Sequence, residues 1–398
     1  MKILIIAHYV SFPWETGNCR FIYLANLLSK DNEVELITSN FYHTKKNKRE
    51  LKSIDEKKLG FKITLLNEPE YQKNVSLKRI ISHKKLSLEL KKYLDKKEEK
   101  PDLIYCSVPS LDVAYEAIKY GNKNNIRCII DVQDLWPESF KMAINIPVIS
   151  DIIFYPMMRK ANYIYSHSDE VVAVSQTFVK RALENNNQKQ GTSVFLGTDL
   201  NYFDKCALEN KIKYNDDITR IVYIGTLGTS YDIKSIIDAI KILNDKGISN
   251  LKFIVMGDGP LKPDFEDYAK NKNINYEFTG RLDYQKMVGI LCSCDIAVNP
   301  INGFSVSSII NKVGDYAAAG LPVINTQNSA EYRELLDKYH AGLNCINGDV
   351  NDIAEKMEKL VTNKKERITM GKANRLMATE LFDRNKTYNE IIKKIIGW

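Results

Sequence analysis

The chain has 398 residues, 44% apolar and 27% charged, with 11 Pro and 19 Gly. At about 150 residues per domain this favours two domains with real hydrophobic cores and excludes collagen-like, mucin-like and wholly disordered classes. The net charge of +7 is unevenly placed: residues 41–100 hold 18 Lys and Arg against 9 Asp and Glu, so the basicity belongs to one stretch. Seven cysteines without a CxxC pair read as reduced core thiols rather than a disulfide framework or a zinc site. No apolar run approaches the roughly 20 residues that span a bilayer, and MKILIIAHY turns polar too soon for a signal peptide. A cytoplasmic protein is expected.

In chain order, KILIIAH (Lys2 to His8) predicts a buried strand, CRFIYLANLLSK (Cys19 to Lys30) a helix with an apolar stripe, and EVELITS (Glu33 to Ser39) a second strand. Further strands are expected at LIYCS, RCIIDV and EVVAV, each followed by a helix-like segment. This alternation implies a parallel sheet covered by helices on both faces. The rhythm breaks over 197–217, which is polar and rich in Asn and Asp, and restarts with IVYIG (Ile221 to Gly225), KFIVMG, YEFTG, IAVNP and PVINT. The expected organisation is a first domain over 1–200, a linker over 201–217, a second domain over 218–380, and a carboxyl-terminal helix over 381–398 packing back on the first domain. Ligands of such sheets bind at the carboxyl ends of the strands, so the loops after each strand are the candidate sites.

Several of those loops have the residue types that hold an anion or a hydroxyl. FPWETGNCRF puts Gly17 and Asn18 before a helix amino terminus, where bare amides favour a phosphate, although Gly17 is equally a turn residue. GTLGTSYD (with Gly225, Thr226 and Gly228), GDGPL and GRLDY (with Arg281) are three glycine loops that permit close backbone approach, or are simple turns. In NGFSVSSIINKVGDYAAAGLPVINT, Asn311 is expected to cap a short helix that Gly320 and Pro322 end. Lys312 can neutralise a phosphate or be a solvated helix residue; Asp315 can take two sugar hydroxyls or serve as a first-turn acid. DVQDLWPESF places Asp131 and Asp134 where carboxylates handle an acceptor hydroxyl, or where acids merely cap a helix.

As an ordered set, FPWETGNCR, DLWPES, AVSQTF, VFLGTDLNYF, YIGTLG, GDGPL, TGRL and NKVGDYAAAGLPVINT resemble the family 4 glycosyltransferases over nearly the whole chain. DLWPES and NKVGDYAAAGLPV look like the branch that builds bacterial O-antigen and capsule, including its amino-sugar transferases. The resemblance implies an α/β fold of the GT-B kind, two doubly wound Rossmann-like domains facing a central cleft, and a retaining transfer from a nucleotide sugar, a UDP-sugar, to a lipid-linked saccharide. It implies that the amides near Gly17 and Asn18 reach the diphosphate, that Asp315 holds the ribose, that Lys312 and the loop Gly303, Phe304 and Ser305 contact phosphate or sugar, and that the Arg281 backbone meets the base. No cofactor and no metal are expected. Two departures stand out: the first Glu of the family's Glu, seven residues, Glu pattern falls on Ser307 or Asn302, and the cations after the first glycine loop are replaced by Lys234 alone. The basic stretch 73–100 mixes Lys and Arg with Leu and Ile at near-helical spacing, as a helix on the inner face of the cytoplasmic membrane would, or as a plain surface helix would. Nucleic acid is not expected as a partner, since the patch has few interleaved aromatics. A sugar-nucleotide epimerase of the same fold and a non-catalytic saccharide binder remain as alternatives.

Overall fold

In a computed structural model of the chain, the described residues are 1–15, 19–49, 59–74, 76–143, 147–184, 190–303 and 309–397. The chain divides into two compact units, Met1–Val194 with Tyr388–Trp398, and Phe195–Thr387.

The first unit runs β1 (Lys2–Ile6), α1 (Arg20–Leu28), β2 (Glu33–Ser39), a two-residue ladder of β3 (Phe41–Tyr42) and β4 (Asn47–Lys48), then β5 (Lys62–Leu66) and α2 (Leu77–Asp95). It continues through β6 (Leu103–Val108), α3 (Leu111–Lys123), β7 (Arg127–Val132), α4 (Glu138–Ala143), α5 (Pro147–His167), β8 (Glu170–Ala173), α6 (Gln176–Leu183) and β9 (Gly191–Ser193). Seven of these strands form one parallel sheet in the order β5-β2-β1-β6-β7-β8-β9. Ile3 pairs with Val34 on one side and Leu103 on the other, so β1 is central and its KILII run is apolar on both faces.

The second unit runs α7 (Leu200–Glu209), β10 (Thr219–Ile224), α8 (Ile233–Asp245), β11 (Leu251–Met256), α9 (Lys262–Asn271), β12 (Tyr276–Gly280), α10 (Tyr284–Leu291) and β13 (Ile296–Asn299). It ends with α11 (Lys312–Ala318), β14 (Val323–Asn325), α12 (Ala330–Tyr339), β15 (Gly342–Asn344), α13 (Val350–Thr362), α14 (Lys364–Met377) and a π-helical turn, Ala378–Phe382. Its parallel sheet has the order β12-β11-β10-β13-β14-β15, the doubly wound pattern. One face is covered by α8 and α13 through Ile236, Ile240, Met357 and Leu360, the other by α7, α10 and α11 through Phe203, Leu291 and Tyr316.

The expected linker over 201–217 is corrected by α7. Its polar letters conceal Leu200, Phe203 and Cys206, which are buried in the second unit's core at helical spacing, and Asp199 caps it by accepting from Tyr202 N at 3.1 Å. The last helix, α15 (Arg384–Ile396), puts Tyr388, Ile391 and Ile395 into the core of the first unit. None of the seven cysteines is in a disulfide. No helix among the described residues is long and apolar enough to cross a membrane.

Candidate functional site

In each unit the strand order reverses once, between β1 and β6 and between β10 and β13. Adjacent loops at such a switch point part in opposite directions and leave a crevice for ligand.

In the second unit the crevice is built on Lys312. Its side chain turns inward under the loop that follows β10, with Nζ 4.0 Å from the Tyr223 ring centroid and 3.9 Å from that of Tyr231. Both rings present their faces to the ammonium, an attraction that grows as water is excluded. Nζ is buried and has no hydrogen-bond partner among the described residues. Burial therefore holds its pKa well below the usual lysine value. Lys312 is not the solvated helix residue that one reading of the sequence allowed. Asn311 stands at the cap position of α11 but with helical backbone angles and no side-chain cap bond, which corrects the expected cap.

The glycine loops have distinct reasons to be glycine. Gly225 has φ +136°, and a Cβ there would stand 2.8 Å from Lys312 Nζ. At Gly257, with φ +156°, a Cβ would come within 1.8 Å of Gly225 O, so the loops after β10 and β11 pack backbone on backbone. Gly257 N donates to Gly280 O at 2.9 Å, tying in the third loop; next to it the Arg281 side chain is exposed. Thr226 is exposed and Gly228 half-buried on the β10 loop. Tyr231 bridges to Ile301, and Asn302 N donates to Ser230 O at 2.9 Å, so the start of the loop after β13 lies against it. Gly303 sits where a Cβ would meet Asn347 Oδ1 at 2.7 Å. Phe304, Ser305 and Ser307 lie outside the described residues. Asn302, the other candidate for the family's first acid, is half-buried with its amide nitrogen 3.5 Å from Thr229 O.

One turn beyond Lys312, Asp315 is held by Thr198 Oγ1 and Tyr284 OH, which both donate to Oδ1 at 2.9 Å. Oδ2 has no partner among the described residues. Burial raises this carboxyl above its ordinary pKa, while the two hydroxyl donors and Arg384 act in the opposite direction. A carboxylate fixed through one oxygen leaves the other to accept from a ligand hydroxyl.

In the first unit the crevice after β1 and β6 holds a group that sequence reasoning missed. His8 bonds Glu68 through Nε2 and Ser110 through Nδ1, both at 2.9 Å, and all three residues are buried. Burial alone would raise the Glu68 carboxyl, but His8 and the hydroxyls of Ser39 and Ser82 hold it below its ordinary value. Arg79 donates to Tyr9 OH at 2.9 Å and to His83 Nε2 at 3.4 Å. Burial, together with Lys46 and Arg79, pushes His43 down to about 3; burial and Arg79 push Lys46 down to about 8. The atoms of His8, Glu68 and His83 lie within 4.8 Å of one another, a spacing that would suit a metal. Against that, the Glu68 oxygens are already taken by three donors and Arg79 points its charge at His83.

The two acids of DVQDLWPESF are structural in different degrees. Asp131 has no exposed surface: it accepts from Arg20 Nη1 at 3.0 and 3.2 Å and from Tyr105 OH at 2.7 Å. Its expected role toward an acceptor hydroxyl is corrected, because a carboxylate sealed in the core by a buried guanidinium cannot meet a ligand. Asp134 is half-buried and accepts from Trp136 Nε1 at 2.9 Å and Ser139 Oγ at 2.6 Å, which fixes the turn into α4. Gly17 and Asn18 lie outside the described residues.

Residues 218–363 match the protein family described as Glycosyl transferases group 1. An uncharacterized glycosyltransferase of Methanocaldococcus jannaschii is 25% identical over 229 residues, 56% of this chain and 59% of the relative; the match thus spans under two thirds of the relative's length. Among solved structures, Anabaena HepE in complex with UDP superposes with TM-score 0.67 at 14% identity, covering 100% of both chains. WaaG, a glycosyltransferase involved in lipopolysaccharide biosynthesis, superposes with TM-score 0.66 at 13% identity, again over 100% of both. The fold is the GT-B fold of glycosyltransferases, and the group 1 match falls on the unit that carries Lys312 and Asp315.

Proposed function

We propose that the protein is a retaining glycosyltransferase that moves a sugar from a UDP-sugar to a lipid-linked saccharide during assembly of a bacterial surface polysaccharide. The observation that carries this reading is the buried Lys312 amine, without a hydrogen-bond partner among the described residues, between two tyrosines at the switch point of the second unit. A buried cation without a counter-charge is costly unless a ligand supplies one, and a diphosphate is the matching ligand. Such a cation also takes over the role of the basic residues missing after the first glycine loop, with no resident metal called for.

In the reaction, Lys312 stabilises the charge that develops on the departing diphosphate, in a site where few waters compete. Asp315, fixed through Oδ1, accepts from the ribose hydroxyls with Oδ2. The acceptor oxygen bonds the anomeric carbon on the face from which the diphosphate leaves, as the carbon–oxygen bond to the diphosphate breaks and the acceptor's proton passes to the departing phosphate oxygen, which retains the anomeric configuration. On the acceptor side the half-buried Asp134, beside its bonds from Trp136 and Ser139, keeps lone pairs for an acceptor hydroxyl, whereas Asp131 is committed to Arg20. The group 1 match and the fold shared with HepE in complex with UDP support a nucleotide-sugar donor; the fold shared with WaaG supports the polysaccharide setting.

The test is to incubate the purified protein with UDP-, GDP- and dTDP-sugars and polyprenyl-linked saccharide and to follow products by mass spectrometry. Release of UDP with a matching mass gain on the lipid is the expected result. An altered sugar of unchanged mass would select the epimerase instead, and binding without turnover the saccharide binder.

A further inference from the structure

The first unit has a cavity of about 720 Å³, walled by α2, α5 and the turn into α4. This volume is within the roughly 300–1,000 Å³ typical of small-molecule sites. Its floor is aromatic and closed, with Trp136 7% and Phe154 8% exposed. The walls are apolar and open: Leu77 is 78%, Ile80 60% and Ile153 57% exposed. Beyond the rim, Ile81 on α2 and Ile152 and Tyr155 on α5 continue the apolar surface, so these two helices expose large hydrophobic side chains that an ordinary solvated pair would bury or replace.

The polar groups of the cavity are biased in charge. Arg79, Lys84 and Lys160 line it against one carboxylate, Asp112, which pairs with Lys160. The Arg79 guanidinium lies 4.9 Å from the Trp136 ring centroid and, among the described residues, donates only to neutral acceptors, Asn74 O, Tyr9 OH and His83 Nε2. Lys84 is exposed and has no ion pair among the described residues. Two cations without an ion pair among the described residues therefore stand beside an apolar trough. That combination selects an amphiphile with an anionic end, and neither a neutral saccharide nor a free phosphate satisfies both parts.

We propose that this cavity binds the isoprenoid diphosphate portion of the acceptor, its hydrocarbon chain lying between α2 and α5 over Phe154 and its phosphates at Arg79 and Lys84. The inference rests on the lipid-linked acceptor of the proposed function and adds the site that takes it. The concave shape argues for one enclosed chain: a helix lying flat on a bilayer presents a convex apolar face and needs no walled trough.

The test uses the full chain and farnesyl diphosphate as a soluble probe, with binding measured by calorimetry beside the binding of UDP. Wild-type protein is expected to bind farnesyl diphosphate about tenfold more tightly than either farnesol or inorganic diphosphate. Ile153→Asp and Ile80→Asp, at exposed positions that leave the core untouched, are expected to weaken the probe about tenfold, and Lys84→Glu about threefold, with UDP affinity unchanged. No binding by the wild type, equal binding by all variants, or binding to phosphatidylglycerol vesicles alone would each overturn the proposal. If the probe binds with the expected pattern while no sugar reaches a lipid acceptor, the site stands and the transferase reading fails. If sugar is transferred to the lipid with equal efficiency in all three variants, the reading stands and the site fails.

Discussion

Lys312 and Gly225 occupy one small space: a Cβ built on Gly225 would stand 2.8 Å from the lysine Nζ. The glycine has φ +136°, so a side chain there is strained as well as obstructive. Gly225→Ala is expected to displace the ammonium and to weaken UDP binding about tenfold or more, measured by calorimetry. Undiminished affinity would exclude Lys312 from the diphosphate site.

Lys312→Met is expected to separate stability from binding. Without ligand the variant is more stable than wild type by about 1–3 kcal/mol, because a buried amine without a counter-charge is replaced by an apolar chain of similar length; with UDP it is not further stabilised. The pH dependence follows from the direction of the shift. The folded lysine has a pKa well below its ordinary 10.5, so the unfolded chain binds the proton more readily and folding is penalised below that value. The stability gap between the variant and wild type is thus expected to close as pH rises toward 10. For the same reason diphosphate binding is accompanied by proton uptake, visible as a buffer-dependent binding enthalpy in wild type and absent in the variant.

Asp315→Asn keeps the shape of the side chain but removes its charge. The Michaelis constant for the donor is expected to rise about tenfold with kcat less affected, since the ribose contact is the same in ground and transition states. Kinetics equal to wild type would remove Asp315 from the donor site.

Asp131→Ala leaves Arg20 buried without its carboxylate, and Tyr105 OH without its acceptor. The expected cost is about 3–5 kcal/mol in urea unfolding. A variant that lost activity at wild-type stability would restore Asp131 to the catalytic set.

Glu35 offers an acid-side test. Burial raises its carboxyl, but Lys97, Thr64, Tyr93 and Lys62 lower it further, from 4.5 to about 2. A carboxyl depressed in the folded state stabilises above its unfolded value and loses that contribution as pH falls toward the folded one. Glu35→Gln is expected to lower stability by about 1–2 kcal/mol at pH 7, and the difference in melting temperature to close between pH 4.5 and 2.

The doubly wound class, the central strands and the glycine loops of the second unit were legible in the sequence. Apolar runs such as KILII and RIVYI reflect burial on both faces of a sheet, and that is a local property of the letters. The same patterning misread residues 201–217: in α7 the buried Leu200, Phe203 and Cys206 recur every third position but alternate with Asn201, Asp204, Lys205 and the exposed Tyr202 and Leu208, so the stripe is blurred and the segment resembles a loop. Charge signs were legible too, but their burial was not. Lys312 and Asp131 read as surface chemistry, and packing alone decided that one is a buried amine without a hydrogen-bond partner among the described residues, between Tyr223 and Tyr231, and the other a sealed partner of Arg20. His8, Glu68 and Ser110 are spread over 102 positions, so no spacing could announce them. His8 and Ser110 meet because β1 and β6 are neighbours in the sheet, while Glu68 follows β5 two strands from β1, and whether a polar group is a solvated surface or a site depends on which remote side chains remove its water.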